Sequence, residues 1–231
     1  MQLEAITWQR MAERLAGHLD DPVGTAEATG GTTAQTAGET APEQGSRLRV
    51  GIDGAPAAGT GDLAGHLADA LRLRGRPVLV VAAEGFLRPA SLRFEFGRED
   101  VDSYLGGWYD TAALWREVFG PTDPGGTGRV LPDLWDPVSD RATRSPYAEL
   151  PPGGVLVVHG PLLLGHWFPF DLSVHIRLSP GALARRTEES ARWTLPAFAR
   201  YEADTDPASA ADAVVRADDP RHPAWTGIRA R

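Results

Sequence analysis

Two residue types are missing from this chain, and each absence excludes a kind of chemistry. None of the 231 residues is cysteine, so disulfide bonds and thiolate metal sites are excluded. None is lysine either, because all 23 basic residues are arginine. No lysine ammonium group can therefore reach a binding site from any part of this chain.

Positive charge and long apolar runs are also scarce. The net charge is −8, which argues against nonspecific binding to DNA, RNA or acidic membranes. No apolar run approaches the ~20 residues that span a bilayer, and the N-terminal residues lack the apolar segment of a secretion signal. We therefore expect a cytoplasmic protein whose partner is a small molecule, with no nucleic acid or membrane partner. A homo-oligomer is left open.

The chain divides into three segments by composition. In residues 1–19, apolar side chains recur at helical spacing from Glu4 onward, which predicts an amphipathic helix docked on the rest of the protein. Residues 20–46 are rich in glycine, threonine, alanine and proline without periodicity, which is typical of a flexible linker. Residues 47–231 have the length and apolar content of one α/β domain.

The domain is organised around a glycine-rich stretch that begins at Leu48 and reads L-R-V-G-I-D-G-A-P-A-A-G-T-G-D-L. A β-prone run leads into the glycines and a helical pattern follows them, which is the context of a phosphate-binding loop. Gly54 and Gly59 match the first half of the pattern G-x-x-x-x-G-K-[ST]. Thr60 and Gly61 stand where the pattern has its lysine and its Mg²⁺-binding hydroxyl. The stretch therefore predicts the fold of a phosphate loop with altered chemistry.

Strands and helices alternate along the rest of the domain. Continuous apolar runs such as R-P-V-L-V-V-A-A and G-G-V-L-V-V-H-G are typical of buried parallel strands. We predict a helix at about residues 110–119, a hairpin at 129–149, and an Arg-rich helix at 180–193 followed by a helix that Thr194 caps. This order predicts a doubly wound parallel α/β sheet, which binds ligands at the carboxyl ends of its strands. Three candidate residues would lie at that edge: Gly54, Glu84 and His159.

From about Arg47 to Pro223, this order of elements resembles the uridine kinase and phosphoribulokinase family of P-loop kinases. The glycine-rich stretch is similar to the family's phosphate loop. The family's Asp-Asp-Phe segment resembles A-A-E-G-F-L-R-P in this chain, and its Walker B strand resembles V-L-V-V-H-G-P-L-L-L. D-S-Y-L-G-G-W-Y-D resembles its substrate-side loop, and L-W-D-P-V-S-D-R its substrate hairpin. L-S-P-G-A-L-A-R-R-T resembles its lid helix, and V-V-R-A-D-D-P-R-H-P the loop beside adenine. The resemblance implies a P-loop kinase fold with a hairpin substrate subdomain and an Arg-rich lid, and phosphorylation of a nucleoside hydroxyl with ATP and Mg²⁺.

The resemblance also implies roles for single residues. It places the acidic general base at Glu84 or at the alanine before it, and the hairpin's histidine and arginine near Asp140 and Arg141. The implied nucleotide-binding residues are Gly54, Ala57, Ala58, Gly59, Thr60, Gly61, Asp62, Arg185, Arg186, Arg192, Asp219 and Pro220. The implied substrate-binding residues are Phe86, Arg88, Asp102, Tyr104, Tyr109, Asp136, Arg141 and His159.

The polar positions of the family's reaction centre are changed in this chain. Thr60 and Gly61 replace the lysine and the hydroxyl, and His159 replaces the Walker B acid. Phosphoryl transfer relies on those groups to neutralise charge on the phosphates, and removing one preorganised donor typically costs about 10²–10³ in rate. We therefore expect weak or absent turnover, which makes the use of ATP and Mg²⁺ doubtful. We expect no metal site at His159, because no second ligand lies at a suitable spacing.

Several residues allow two interpretations. Asp62 either competes with a phosphate for the loop amides or only stabilises its helix. The lid arginines either replace the missing lysine or form a solvated face with pairs such as Arg185–Glu189. The aromatic residues near the substrate side either stack on a base or pack the core: Phe86, Phe94, Phe96, Tyr104, Trp108 and Tyr109.

Three hypotheses for function follow. The first is a uridine kinase-like enzyme with an altered phosphate loop. The second is a catalytically silent protein that binds a nucleotide, a nucleoside or another phosphate ligand. The third is an interaction scaffold on the same fold. The changed reaction centre favours the second and third, whereas the retained Glu84, hairpin and lid arginines favour a cleft that binds a ligand.

Overall fold

The computed structural model describes residues 3–20 and 46–229. Apart from its two end residues, the predicted linker at 20–46 lies outside the described residues. No helix in the described ranges has the length and apolarity needed to cross a membrane.

The strands and helices alternate as predicted over most of the chain. The strands are β1 (Glu4–Ala5), β2 (Leu48–Asp53), β3 (Val78–Ala82), β4 (Arg129–Val130), β5 (Trp135–Asp136), β6 (Arg141–Ala142), β7 (Ala148–Glu149), β8 (Val155–Gly160), β9 (Leu172–Arg177), β10 (Ala213–Arg216) and β11 (Ala224–Trp225). The helices are α1 (Trp8–Asp20), α2 (Thr60–Leu73), α3 (Ala90–Arg93), α4 (Val101–Gly107), α5 (Thr111–Leu114), α6 (Pro180–Arg186), α7 (Leu195–Asp204) and α8 (Pro207–Ala210).

The central sheet has seven strands in the order β1-β11-β10-β9-β2-β8-β3. The five strands from β10 to β3 are parallel, whereas β11 and β1 add an antiparallel edge that the sequence did not predict. Helices cover both faces: α1 and α2 pack on one face, and the region from α4 to α7 packs on the other. The prediction of a doubly wound, mostly parallel α/β sheet is confirmed, and the carboxyl ends of β2, β8 and β3 lie side by side.

The prediction for the N-terminal segment is wrong in one detail. The helix that was predicted to begin at Glu4 begins at Trp8. Glu4 and Ala5 instead pair with β11, and Thr7 Oγ1 accepts a hydrogen bond from the backbone amide of Arg10 at 3.2 Å. A hydroxyl in that position caps a helix N-terminus, which explains the later start. The helix docks on α2 through fully buried Met11 and Leu15.

One further prediction about helices is wrong, and another holds in position only. The Arg-rich helix ends at Arg186, where the Thr187 hydroxyl donates to the Leu183 carbonyl, and a separate 3₁₀ turn spans Glu189–Thr194. Thr194 occupies the N-cap position of α7, with Pro196 in the first turn, but its hydroxyl donates backward to the Ala191 carbonyl at 2.7 Å and forms no capping hydrogen bond.

The predicted helix at 110–119 begins with α5 and continues as a wider π-helical turn over Trp115–Phe119. The stretch between β3 and α5, for which the sequence predicted no helix, contains two short helices, α3 and α4. Both belong to the part of the domain that the sequence pattern described least well.

Candidate functional site

The glycine-rich stretch forms the predicted loop between β2 and α2, with a 3₁₀ turn at Pro56–Ala58. Its two signature glycines are needed for geometric reasons. A Cβ on Gly54 would lie 2.8 Å from the Ile176 carbonyl oxygen, and Gly59 has a φ of +81°. Glycine is the residue that accepts such close approach and left-handed backbone. The two glycines that match the pattern therefore have a structural reason to be glycine.

The side chains around the loop differ from those of a working phosphate loop. Thr60 is only 4% exposed, and its hydroxyl lies 3.4 Å from His159 Nδ1. The imidazole of His159 also covers Gly61, where an added Cβ would lie 3.4 Å from its Cε1. Burial lowers the pKa of His159 below its usual value, so the ring is neutral at pH 7. A neutral imidazole therefore fills the space beside the first turn of α2.

These residues do not fit a Mg²⁺–triphosphate group. P-loop enzymes hold the metal between the loop hydroxyl and a Walker B acid, whereas here Gly61 and His159 stand at those two positions and the hydroxyl of Thr60, at the lysine position, faces His159. Within residues 3–20 and 46–229, no group of three or more histidine, aspartate or glutamate residues could hold a metal ion. A Cβ on Gly59 would lie 3.3 Å from a carboxylate oxygen of Asp62. The Asp62 carboxylate therefore lies beside the loop, where its negative charge would repel a phosphate.

Glu84 follows β3 at the same edge of the sheet, next to the end of β8. Its Oε2 is buried and accepts no hydrogen bond from the described residues, and burial raises its pKa. Burial also raises the pKa of Tyr104 to about 12, and the nearby Glu84 charge contributes to that rise. Burial, and then the neighbouring Tyr104 and Glu84, raise the pKa of the Tyr109 hydroxyl. Glu84 is therefore a largely buried carboxyl group close to two tyrosine side chains.

A cleft of about 480 Å³ opens between the loop, α4 and the segment from α6 to α7. We call it the aromatic cleft. It is lined by Pro56, Ala57, Tyr104, Trp108, Arg186, Thr187, Glu188, Ser190, Ala191, Trp193, Thr194 and Phe198. The ring centroids of Tyr104 and Trp193 are 5.5 Å apart, and those of Trp108 and Trp193 are 5.4 Å apart. Three candidate site residues meet in it: Ala57, Tyr104 and Arg186. Trp193 was not predicted, because it lies in a segment that the sequence assigned to the Arg-rich helix.

The lid arginines differ from one another in their surroundings. Arg186 lines the aromatic cleft and donates to the Ala217 carbonyl at 2.9 Å, which ties α6 to the loop after β10. Arg185 and Arg192 are exposed. Because α6 ends at Arg186, Glu189 does not lie one turn further along the same helix, and the described residues contain no Arg185–Glu189 ion pair.

The loop expected beside adenine is held by contacts within the chain. Asp219 accepts hydrogen bonds from the backbone amide of Arg221 and from the His222 ring, and these contacts lower its pKa. The Pro220 carbonyl accepts a hydrogen bond from the Trp8 indole at 2.7 Å. The N-terminal helix therefore fastens this loop.

Four of the substrate-side candidates lie apart from the aromatic cleft. Asp136 binds Ser139 and the backbone of the hairpin turn, and exposed Arg141 follows in β6. Asp102 forms an ion pair with Arg200, and Arg88 lines a separate cavity on the outer side of α4. The structure therefore does not bring these residues together with Tyr104.

Phe86 is fully buried, which agrees with the packing interpretation of that aromatic residue. It lies among the side chains that cover the β3 and β8 side of the sheet. No part of its ring is available to a ligand in the aromatic cleft.

Asp140, which the resemblance places near the family's hairpin histidine, fastens the hairpin to the domain. Its Oδ1 accepts hydrogen bonds from the Ala90 amide and the Trp135 indole, each at 2.9 Å, and lies 3.4 Å from the Arg93 guanidinium. Asp140 has a φ of +51°, which aspartate and asparagine adopt more readily than most residues. The side chain at this place therefore serves the hairpin's position rather than a ligand.

A buried chain of polar side chains, which no sequence pattern predicted, runs beneath the loop. Asp53 Oδ2 lies 2.7 Å from His175 Nδ1, and His175 Nε2 lies 3.0 Å from Glu202 Oε1. Asp53 Oδ1 accepts from the Leu163 amide and from the Tyr201 hydroxyl. One signal was present in the sequence, because Asp53 and His175 are polar residues within apolar strand patterns.

Comparisons with known proteins agree on the fold. No protein family model matches the sequence, and no curated protein matches it. Among solved structures, the chain is similar to a possible uridine kinase from Bacillus stearothermophilus, with 22% identity, a TM-score of 0.62, and coverage of 89% of this chain and 98% of the other. It is also similar to a candidate fructose transport system kinase from Silicibacter sp. TM1040, with 21% identity, a TM-score of 0.57, and coverage of 89% and 95%. The chain therefore has the P-loop kinase-like fold that the sequence predicted.

Proposed function

We propose that this protein binds a nucleoside-like ligand in the aromatic cleft and that phosphoryl transfer from ATP is weak or absent. The observation that carries the proposal is the position of His159. A neutral imidazole lies against Thr60 and Gly61, where a P-loop kinase needs a lysine, a hydroxyl and an acid. Since the chain contains no lysine, no other segment can supply the missing lysine side chain.

The lining of the aromatic cleft favours a planar ligand with polar edges. Tyr104, Trp108 and Trp193 offer aromatic surface, and stacking on such rings contributes roughly 1–3 kcal/mol per base. Arg186 and Glu188 add one charge of each sign at the rim. A nucleoside meets both requirements, and the fold's solved neighbour described as a possible uridine kinase suggests uridine and cytidine as the first candidates.

One observation favours a second candidate function, a slow phosphotransferase. Glu84 is largely buried, its Oε2 has no hydrogen bond to the described residues, and its pKa is raised. These properties suit a general base that takes a proton from a substrate hydroxyl. The second candidate therefore requires activity that depends on Glu84 despite the altered loop.

Calorimetric titration with uridine, cytidine, inorganic phosphate and ATP·Mg²⁺ tests the proposal. We expect heat from a nucleoside and none from ATP·Mg²⁺. Replacing a stacking ring should weaken nucleoside binding about tenfold or more, so Trp108→Ala is the test variant. Trp167→Ala is the control, because Trp167 is 91% exposed and lies outside the aromatic cleft.

An assay of ADP release separates the two candidates. ADP release by the wild type and by Glu84→Gln should both stay at the background rate. In the calorimetric titration, the variant Thr60→Lys/Gly61→Thr/His159→Asp should gain binding of ATP·Mg²⁺. ADP release by the wild type that Glu84→Gln abolishes would establish the phosphotransferase instead. If neither the wild type nor the triple variant binds a nucleoside or ATP, the scaffold hypothesis replaces both candidate functions.

A further inference from the structure

A second cavity lies between the end of β9, α6 and α7, and no role has been assigned to it. Its volume is about 270 Å³. We call it the β9 cavity. Its walls are mainly apolar and include Leu178, Pro180, Leu183, Leu195 and Phe198. Phe198 also lines the aromatic cleft, so one ring separates the two spaces.

The polar end of the β9 cavity is formed by His175, Arg177, Tyr201 and Glu202. Both carboxylate oxygens of Glu202 are engaged, one with His175 Nε2 at 3.0 Å and the other with Arg177 Nε at 3.2 Å. His175 Nδ1 is held by Asp53, and the Tyr201 hydroxyl contacts Asp53 and the backbone of Leu164. These inner groups therefore already have partners within the chain.

Arg177 differs from them. The guanidinium contacts Glu202 through Nε alone, and the Arg177 side chain is 44% exposed. Its two terminal nitrogens form no hydrogen bond or ion pair with the described residues. A guanidinium edge with unused N–H groups is suited to two parallel hydrogen bonds with a carboxylate. The charges at this end also balance, since Asp53 and Glu202 oppose His175 and Arg177.

We propose that the β9 cavity binds a small monocarboxylic acid with an apolar body, whose carboxylate pairs with Arg177. An amine would face the Arg177 charge and would have to share the acceptors that His175 and Arg177 already occupy. An alcohol would leave part of the guanidinium edge unpaired. The site is separate from the aromatic cleft and does not depend on the proposed function.

Three probes with the same ring test the choice of head group: benzoate, benzyl alcohol and benzylamine. Calorimetry on the full chain at pH 7 should show benzoate binding at least tenfold tighter than either of the others. Arg177→Gln should remove the difference between benzoate and benzyl alcohol. Arg200→Gln is the matched control, because it removes an arginine from α7 whose partner is Asp102 and which does not line the cavity.

A blocking variant tests the location. Ala199 is exposed and lines the cavity, so Ala199→Trp should fill the mouth without overpacking the core and should abolish benzoate binding. Trp108→Ala, in the aromatic cleft, should leave benzoate binding unchanged. Benzoate that binds no tighter than benzyl alcohol, or that survives Ala199→Trp, would overturn the proposal. Loss of benzoate binding in Trp108→Ala alone would place the probe in the other cleft and would also overturn it. Circular dichroism of each variant confirms that it is folded.

Discussion

Among single residues, His175 links the strand that precedes the phosphate loop to α7. Burial by itself would lower the pKa of this imidazole, but hydrogen bonds and charge from Asp53 and Glu202 outweigh it and raise the pKa to about 9. The ring is therefore an imidazolium at neutral pH and lies between two carboxylates. Because Asp53 directly precedes Gly54, this charged group supports the base of the loop.

The raised pKa predicts how stability depends on pH. The folded value of about 9 exceeds the value of 6.5 for a free histidine, so the contribution of His175 is complete below pH 6.5 and is lost as the pH rises through 9. One pKa unit corresponds to about 1.4 kcal/mol, so we expect the free energy of unfolding to fall by on the order of 3 kcal/mol across that window. Urea unfolding at pH 6, 7, 8 and 9 measures it.

His175→Gln is the control and should remove most of this dependence. Few other groups titrate in the window, because the chain has no lysine and no cysteine. His159 and His166 have lowered pKa values, so their contributions change below pH 6.5 and in the opposite direction. A wild-type stability that stays constant or rises from pH 6.5 to 9 would contradict the prediction.

The sequence predicted some site residues and missed others for a physical reason. Gly54, Gly59 and Glu84 are recognised by their local context, since each follows a strand pattern within a few residues. His175 is 122 residues from Asp53 and 27 from Glu202. Only the pairing of β9 with β2 and the packing of α7 bring them together. No local pattern reports such a contact.

Among the elements, the hairpin from β5 to β6 is held to the domain by the Asp140 side chain as well as by the backbone hydrogen bond from the Leu134 amide to the Gly85 carbonyl. Asp140 joins it to the start of α3 and to Arg93, whose guanidinium also lies over the rings of Phe94 and Trp108. Trp108 is a wall of the aromatic cleft. The hairpin, α3 and the aromatic cleft are thus connected through side-chain contacts.

Asp140→Ala should loosen the hairpin. The variant leaves the Ala90 amide and the Trp135 indole without their acceptor and places alanine at a positive φ, so we expect a loss of roughly 1–3 kcal/mol. Exposed Arg141 lies beside it, so limited trypsin digestion should cut there faster. Asp140→Asn keeps an acceptor oxygen and tolerates this backbone, and it should digest like the wild type. Equal digestion of all three proteins would contradict the assigned role.

Elements were predictable where their patterns were long. β3 and β8 were anticipated, because a buried parallel strand reads as a continuous apolar run, and β2 was anticipated from the β-prone run before the glycines. The two-residue strands β1 and β11 are too short to leave a pattern, and they form only because they pair with each other and with β10. The early end of α6 was missed, because the hydroxyl of Thr187 ends a helix that the composition would continue.

In the whole molecule, the N-terminal segment is part of the core. Met11, Ala12, Leu15 and Ala16 are buried against α2, although the sequence separates them from the domain by a predicted linker. The Glu4–Arg14 ion pair and the position of the Arg14 guanidinium over Trp225 hold the same segment to β11. We therefore expect the segment and the domain to unfold together.

Leu15→Ala tests this cooperativity. Deleting a fully buried leucine side chain typically costs roughly 2–5 kcal/mol, and we expect that loss to lower the stability of the whole protein in a single transition. Urea unfolding followed by tryptophan fluorescence and by far-UV circular dichroism should give coincident curves. Arg10→Ala, on the exposed face of α1, should have little effect. Separate transitions, or an unchanged midpoint for Leu15→Ala, would show that the helix folds independently.

The hydrogen bond from Trp8 to Pro220 joins residues 212 positions apart. During synthesis, at about 5–20 residues per second, β1 would wait on the order of 10–40 s before the segment that it pairs with leaves the ribosome. Until then the β1 segment has no β11 to pair with, and the sheet lacks its antiparallel border. The antiparallel border of the sheet can therefore form only after the residues of β10 and β11 have been synthesised, long after β1 and α1.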